Sequence, residues 1–219
     1  MISIPKKLII IGDSLVYGWG DKEGGGWTER LRRHFMTIPN APIIYSLGVR
    51  GDGLENVSKR WEEEWKKRGE LRRRLPDGII LSIGLNDTAR IGQKEGRPQL
   101  TSEAYEFGLN QLLKAIKSKT KIFIIGLTPV NEEAMPFADC LWYSNRACSI
   151  YESKIEETCI ELDIPFFPTF QKVTTKESWK EFIEPDGIHF NSKGHEWIYQ
   201  NIKEWKPLLE WSEIITTNN

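Results

Sequence analysis

The sequence predicts an α/β fold in which a five-stranded parallel sheet lies between two layers of helices. Two observations support this three-layer α/β/α class. Five short apolar runs each stop at a glycine or a proline, as expected of strands buried on both faces. The segments between them show apolar residues at helical spacing. Strands that alternate with helices form a parallel sheet, because right-handed crossovers place the helices on its faces.

The five predicted strands are continuous apolar runs, whereas a strand with one face in water would alternate apolar and polar residues. They cover residues 8–11, 43–47, 79–83, 122–125 and 165–167. Ligands of open parallel sheets bind beyond the carboxyl ends of the strands, near the point where the strand order reverses. We therefore expect the functional residues to follow strands directly.

The predicted helices are amphipathic stripes with apolar residues three or four positions apart. Four stripes begin at Trp27, Leu54, Tyr105 and Ile150. A last helix is expected to begin near Asn191 or Ser192, both suitable N-cap residues, and to include Trp205. These helices provide the crossovers that a parallel sheet needs.

Chain length and charge limit the classes of function. The 219 residues are predicted to form a single domain over residues 1–219, since nothing in the middle has the composition of a linker. Thirty basic and 31 acidic residues leave a net charge of -1, which disfavours nucleic acid and anionic membrane surfaces as partners. No apolar stretch approaches the roughly 18 residues of a membrane span. We expect a soluble, cytoplasmic protein without integral membrane association.

The three cysteines, Cys140, Cys148 and Cys159, form no C-x-x-C pair. Two of them could form a disulfide, but a chain of this length can bury a full core and needs no such bridge. We expect free thiols in a reducing compartment.

Three motifs directly follow the first three predicted strands. They are Gly-Asp-Ser-Leu at residues 12–15, Gly-Val-Arg-Gly-Asp-Gly at residues 48–53 and Gly-Leu-Asn-Asp at residues 84–87. Each has an ordinary structural explanation, because Ser, Asp and Asn cap helices and glycines form strand-to-helix turns. Each also suits nucleophilic chemistry. Ser14 is a candidate nucleophile, a glycine N–H can approach a developing anion, and the Asn86 amide can donate to an oxyanion.

A fourth motif, Asp-Gly-Ile-His, lies near the end of the chain at residues 186–189. The Asp186 carboxylate can accept a hydrogen bond from one ring nitrogen of His189, which leaves the other nitrogen free as a base. The same pair could be half of a metal site, but no further His or Cys cluster accompanies it. We therefore expect neither a metal nor another cofactor.

The four motifs, in this order, resemble the GDSL or SGNH family of serine esterases and lipases over residues 12–189. The resemblance implies a flavodoxin-like sheet of the SGNH-hydrolase type and a carboxylic ester hydrolase of the carboxylesterase, lipase or acetylesterase kind. It implies that Ser14 is the nucleophile, that His189 is the general base and that Asp186 orients the base. The substrate would be a small-molecule ester, and the resemblance does not choose among lipids, thioesters and sugars.

The resemblance also implies an oxyanion hole made of the Ser14 N–H, the Gly51 N–H and the Asn86 side-chain amide. Asp13 and Asp87 are implied as supporting residues of their motifs.

Two positions near the second motif depart from the family pattern. Ser46 stands where the family commonly has Asn, which could loosen the turn. Arg50 places a large cation beside Gly51, which would favour a substrate with an anionic group. The G-x-S-x-G elbow of the α/β-hydrolases is absent.

The candidate substrate pocket comprises Trp19, Arg50 and Trp142. Trp19 lies in a glycine-flanked loop five residues after the candidate nucleophile. Residues 130–142 follow the fourth predicted strand and could add pocket wall, including Met135 and Phe137.

Other residues are assigned structural roles. His34 and His195 lack a carboxylate at the spacing of the fourth motif and are expected to be structural or exposed to solvent. Residues 62–68 place Glu and Lys or Arg four apart, as on a solvated helix face. Residues 72–74 are expected to form a basic surface loop, and residues 216–219 to be frayed.

Two further functions remain open. One is a non-catalytic flavodoxin-like module that binds an anion through backbone N–H groups in its glycine turns. It would leave the pair of Asp186 and His189 unexplained. The other is an acyltransferase that uses the same three residues but excludes water from the acyl-enzyme.

Overall fold

The computed structural model describes residues 4–69 and 74–214. The expectations for residues 72, 73 and 216–219 lie outside this part of the chain. The described strands are β1 (Lys7–Gly12), β2 (Ile43–Gly48), β3 (Gly78–Ser82), β4 (Arg90–Ile91), β5 (Lys121–Ile125), β6 (Leu141–Trp142) and β7 (Phe166–Phe167). The described helices are α1 (Ser14–Tyr17), α2 (Trp27–Met36), α3 (Leu54–Lys67), α4 (Leu85–Thr88), α5 (Ser102–Lys117), α6 (Asn145–Glu161), α7 (Thr169–Thr174), α8 (Ser192–Lys203) and α9 (Lys206–Ser212), with short 3-10 helices at Glu132–Ala134 and Trp179–Phe182.

The predicted fold class is confirmed. Five strands form one parallel sheet in the order β2-β1-β3-β5-β7, and these are the five apolar runs that the sequence predicted. Two strands that the sequence did not predict, β4 and β6, pair antiparallel outside this sheet. They have only two residues each, which is too short to give an apolar pattern.

Both faces of the central strands are buried, which explains their continuous apolar runs. Leu8 and Ile10 contribute to the core beneath α2, α8 and α9. Ile9 and Ile11 contribute to the opposite core, beneath α3, α5 and α6. All four side chains are fully buried. The outer strand β2 is less covered, and Ile43 at its start is 41% exposed.

The register of the sheet brings the first three motifs to one edge. The residue pairs Gly12 with Gly48 and Gly12 with Ser82 lie side by side at the carboxyl ends of β1, β2 and β3. The chain leaves β1 for β2 on one side and returns to β3 on the other, so the strand order reverses here. The residues that follow these strands therefore converge at the point where such sheets bind ligands.

The prediction that one last helix includes Trp205 is wrong. Helix α8 ends at Lys203, and Trp205 is the N-cap of a separate helix, α9. Pro207 lies at the start of α9, where proline is tolerated because the first helical N–H groups have no intrahelical partner. Within α8 it would remove a hydrogen bond and clash with the preceding turn.

Cys140, Cys148 and Cys159 are free thiols. Over residues 4–69 and 74–214, no helix combines the length and the apolar character required to cross a membrane.

Candidate active site

Ser14 lies directly beyond the carboxyl end of β1, at the first position of α1. Asp13 is the N-cap of this helix, and its Oδ1 accepts a hydrogen bond of 2.9 Å from the Leu15 N–H. Ser14 itself is nearly buried, with 9% of its surface exposed. Because the first N–H groups of a helix have no intrahelical acceptor, the Ser14 N–H is available to a bound group.

The loop of residues 186–189 places an imidazole against this hydroxyl. His189 Nε2 lies 3.1 Å from Ser14 Oγ, and His189 Nδ1 lies 2.6 Å from Asp186 Oδ2. The second carboxylate oxygen, Asp186 Oδ1, accepts hydrogen bonds of 3.0 Å from the N–H groups of Ile188 and His189. Ser14, His189 and Asp186 therefore form one continuous hydrogen-bonded chain.

The surroundings of Asp186 favour its ionised form. Burial raises the pKa of this carboxyl, but the hydrogen bonds from His189 and from the Ile188 N–H outweigh burial and hold the pKa below its usual value. An ionised carboxylate at Nδ1 fixes the tautomer in which Nε2 lacks a proton and faces Ser14.

The two other predicted donors of the oxyanion hole lie in the segments that follow β2 and β3. Asn86 Nδ2 donates to the Asp52 carbonyl at 3.0 Å and lies 3.3 Å from Asp13 Oδ2. Gly51 precedes Asp52 in a turn that closes by a hydrogen bond from the Asp52 N–H to the Val49 carbonyl. The φ angle of Gly51 is 81°, a value that side chains disfavour. A direct hydrogen bond thus joins the Asn86 amide to the turn that contains Gly51.

Asp13 is a buried carboxyl with an unusual titration. Burial raises its pKa to about 7, although the Leu15 N–H and His189 act in the opposite direction. The Asp13 carboxylate contacts both the Leu15 N–H of α1 and the Asn86 amide. These contacts link the first motif to the third.

Asp87 links the third motif to the second. Both of its carboxylate oxygens accept from the Leu54 N–H at 3.1 Å, so it caps α3 from outside. Burial raises its pKa to about 6, although the Leu54 N–H lowers it. A Cβ at Gly53 would lie only 2.7 Å from Asp87 Oδ1, which explains why glycine ends the second motif.

Arg60 is a positioning residue that the sequence did not indicate. Its Nε forms an ion pair of 2.7 Å with Asp52, and its Nη2 donates to the carbonyls of Gly12 and Leu47 at 3.0 Å each. These contacts join the ends of β1 and β2 to the Gly51 turn. No motif includes Arg60, and a cation on a predicted helix ordinarily faces solvent, so nothing in the sequence distinguished it.

A small pocket opens between Ser14 and His189. Its apolar wall includes Ile83, Leu127 and Phe190, and its volume is about 20 Å³. A space of this size accommodates one group of about the size of a water molecule or a methyl group.

Two aromatic side chains flank the imidazole of His189. Trp19 and Phe137 both contact it edge-on, with ring centroids 6.0 and 5.9 Å away. Trp19 also lines the pocket. The ring of Trp19 is covered on one face by the Arg50 guanidinium, whose Cζ lies 3.5 Å from the ring centroid.

Trp142 and Met135, which the sequence also suggested for the pocket, do not line it. Trp142 is in β6, paired with Arg90. Met135 contacts the same segment, since its Sδ accepts from the Tyr143 N–H.

Ser46, which departs from the family pattern, donates a hydrogen bond of 3.0 Å to the Val16 carbonyl and thereby ties β2 to α1.

His195 has a structural role, and it positions Trp19. Its Nδ1 accepts from the Trp27 N–H at 3.2 Å, and its Nε2 donates to the Trp19 carbonyl at 3.0 Å. Burial lowers its pKa to about 4, so the ring is neutral and suited to this bridge. His34 lies on α2, with its ring against Tyr199.

In the part of the chain that the structure describes, no group of three or more His, Cys, Asp or Glu side chains is arranged to hold a metal ion.

A family model for the GDSL-like lipase/acylhydrolase family matches residues 10–197. A GDSL esterase/lipase of Oryza sativa subsp. japonica is 23% identical over 155 residues, a match that covers 64% of this chain and 60% of the rice protein. A GDSL esterase/lipase of Arabidopsis thaliana is 22% identical over 221 residues, which covers 95% of this chain and 68% of that protein. The first match thus spans less than two thirds of its relative.

Solved structures with the same fold span the chain almost completely. A lipase/acylhydrolase from Enterococcus faecalis aligns with a TM-score of 0.74 at 18% identity, covering 95% of this chain and 96% of the other. An acetylxylan esterase from Geobacillus stearothermophilus aligns with a TM-score of 0.68 at 18% identity, covering 92% and 94%. At these identities the likeness concerns the fold.

Proposed function

The chain belongs to the GDSL-like lipase/acylhydrolase family, and we propose that it hydrolyses carboxylic esters through an acyl-enzyme on Ser14. The observation on which this proposal depends is the hydrogen-bonded chain from Ser14 Oγ through His189 to Asp186. A free serine hydroxyl is a poor nucleophile. It is activated by an adjacent base, which is held in the correct orientation by a third group.

The reaction follows from this geometry in two halves. His189 Nε2 takes the hydroxyl proton as Ser14 Oγ attacks the acyl carbonyl, and Asp186 stabilises the imidazolium that forms. The protonated imidazole then gives this proton to the departing alcohol, which leaves an acyl group on Ser14. In the second half, His189 takes a proton from water as the water oxygen attacks the acyl carbon. The bond from that carbon to Ser14 Oγ then breaks, the carboxylic acid leaves, and His189 returns the proton to Ser14.

The tetrahedral oxygen would be stabilised by the Ser14 N–H, the Gly51 N–H and the Asn86 amide. Asn86 Nδ2 has two hydrogens, of which one is committed to the Asp52 carbonyl at 3.0 Å. The longer contact to Asp13, at 3.3 Å, is the one that the oxyanion would replace. Donors that strengthen as charge develops lower the barrier by about 3 to 4 kcal/mol each.

We propose further that the acyl group is short. The pocket beside Ser14 and His189 is apolar and has a volume of about 20 Å³, enough for the methyl group of an acetyl ester. A longer chain held within this pocket would have to displace buried side chains such as Leu127, which is 3% exposed. The related fold of an acetylxylan esterase is in line with an acetyl substrate.

The test is a fluorophosphonate probe combined with 4-nitrophenyl acetate, butyrate and octanoate. We expect the probe to label Ser14, and Ser14→Ala to lose labelling and hydrolysis together. Ser149→Ala, at an exposed serine of α6, is the matched control and should keep both. If the probe fails to react with the folded protein, the anion-binding module becomes the better explanation.

The same esters test the length of the acyl group. We expect kcat/KM to fall at least about 10-fold from acetate to octanoate, because a longer chain enters this pocket only by displacing buried side chains, which costs binding energy. Leu85→Ala shortens one pocket wall and should improve butyrate relative to acetate. Equal rates for the three esters would contradict a short acyl group.

A cytoplasmic location is part of this proposal. It is supported by the three free thiols, which persist in reducing compartments. Cell fractionation of the tagged protein tests it.

A further inference from the structure

Arg50 differs from the other arginines near the active site. Arg30 and Arg60 are committed to ion pairs with Asp21 and Asp52. Among the described residues, the Arg50 guanidinium has no carboxylate partner and donates no hydrogen bond. The residue is exposed, yet its side chain lies flat on an indole instead of extending into water.

The contact with Trp19 fixes the direction of the guanidinium N–H groups. At 3.5 Å from Cζ to the ring centroid, the planar guanidinium can only lie parallel to the indole. One face of the guanidinium is then occupied by the indole, and the N–H groups at the edges of the guanidinium remain free to donate. A guanidinium edge matches a carboxylate in size and geometry, and stacking on an aromatic ring holds it ready for such a partner.

The Trp19 backbone is itself held firmly, so the stack has a fixed base. The Trp19 N–H donates to the Ser14 carbonyl at 3.0 Å, and the Trp19 carbonyl accepts from His195 Nε2 at 3.0 Å. Arg50 in turn directly precedes Gly51 in the turn beside Asn86. The same indole ring therefore contacts both the guanidinium and the imidazole of His189.

We propose that Arg50, stacked on Trp19, binds a carboxylate on the alcohol part of the substrate. This inference rests on the proposed ester hydrolysis. The acyl pocket is small and apolar, and Arg50 is not among its lining residues, so a charged group of the substrate belongs on the leaving side. Other carboxylates near Ser14 are buried or hydrogen-bonded, which leaves Arg50 free for the substrate. The site thus selects acetyl esters of hydroxy acids over those of neutral alcohols.

The experiment compares 4-acetoxybenzoate with 4-acetoxybenzamide, which has the same shape but no charge. For the wild type we expect a higher kcat/KM for the anionic ester, mainly through KM. Arg50→Gln should reduce the ratio of the two values about 5- to 10-fold, as expected for a charge-assisted bond at a partly exposed site. Raising the salt concentration should reduce the wild-type ratio as well.

Two further variants separate the stack from the charge. Arg50→Lys keeps the charge but loses the planar edge, so it should retain only part of the preference. Arg33→Gln removes one exposed cation of α2 that is paired with Glu29 and should leave both rates unchanged. An unchanged ratio in Arg50→Gln, with its melting temperature intact, would overturn the proposal.

The outcomes also distinguish this inference from the proposed function. If Ser14-dependent hydrolysis of 4-acetoxybenzamide is observed without preference for the anionic ester, ester hydrolysis stands and the role of Arg50 is rejected. If neither ester is hydrolysed by the wild type, both proposals are rejected.

Discussion

The two halves of the candidate site, the base and the proposed oxyanion hole, are built in different ways. On the side of the base, four consecutive residues supply the whole arrangement. Asp186 accepts from the imidazole and from two N–H groups of its own loop. On the side of the oxyanion hole, contacts join segments that are far apart in the chain. Asn86 donates to Asp52 across 34 positions, and Arg60 donates to Gly12 across 48.

This difference indicates how each side responds to change. A substitution on the base side alters one short loop and leaves the sheet edge intact. A substitution in the proposed hole alters the junction beside β1, β2 and β3, because Asn86, which we propose as an oxyanion donor, also donates to the Asp52 carbonyl and contacts Asp13. Activity should therefore separate from stability on the first side and not on the second.

The largest effect on activity is expected from Asp186→Asn. The amide can donate to His189 Nδ1 and so favours the tautomer with a proton on Nε2, which cannot accept the proton of Ser14. We expect kcat to fall on the order of 10³- to 10⁴-fold, with little change in melting temperature, since the Asp186 side chain is 30% exposed. Steady-state kinetics and thermal unfolding measure the two quantities.

Asp163→Asn, at an exposed position between α6 and β7, is the matched control and should behave like the wild type. A strong loss of stability in Asp186→Asn would contradict the local character of the base side.

Asn86→Ala should have the next largest effect. Removing one donor from an oxyanion hole typically lowers kcat about 10²- to 10³-fold with a small change in KM. Because the Asp52 carbonyl loses its donor at the same time, the free energy of unfolding should also fall by about 1 to 2 kcal/mol. Asn110→Ala, at a partly exposed position of α5, is the control. An unchanged kcat would remove Asn86 from the hole.

A smaller effect on activity, with a larger effect on stability, is expected from Arg60→Met. It leaves Asp52 as an unpaired carboxylate that is 6% exposed, which should lower the free energy of unfolding by about 2 to 4 kcal/mol. We expect kcat to fall about 10-fold, because displacement of the Gly51 turn weakens a donor of the hole. Denaturant unfolding and kinetics on the same samples provide both values.

The double variant Arg60→Met with Asp52→Asn sharpens this prediction. Neutralising Asp52 removes the unpaired charge, so the double variant should recover part of the stability lost in Arg60→Met. Strict additivity of the two substitutions would show that the ion pair does not couple them.

His195→Gln should change how the free energy of unfolding depends on pH, and it should have the smallest effect on activity of these variants. Burial lowers the pKa of His195 from 6.5 to about 4, so the unfolded chain binds more protons between these values. His195 therefore contributes stability that is complete above about pH 6.5 and is lost as the pH falls toward 4, by at most about 3 kcal/mol. Asp13 and Glu152, with pKa values raised to about 7, act with the opposite sign in both proteins.

The measurement is the free energy of unfolding at pH 7 and at pH 5 in wild type and variant. The difference between the two proteins should shrink toward pH 5, because only the wild type loses the contribution of His195. Parallel curves would contradict the low pKa.

Much of the fold could be predicted because its signals are local. The strand β1 appears in the sequence as an apolar run, since both of its faces are buried. The helix α9 was missed as a separate element because its boundary depends on Pro207 and on packing that no periodic pattern records. The short strands β4 and β6 were missed because two residues give no period.

The candidate site divides along the same line. The Asp186 and His189 pair is recognisable from the sequence, because three positions suffice to fold a carboxylate back onto its imidazole. The sequence likewise specified Ser14 and the glycine turns, which stand where apolar strands stop. Arg60, the bridging role of His195 and the stacking of Arg50 on Trp19 required the folded chain. These contacts depend on strand register and on the approach of segments that are distant in sequence. The spacing of residues along the chain determines neither of them.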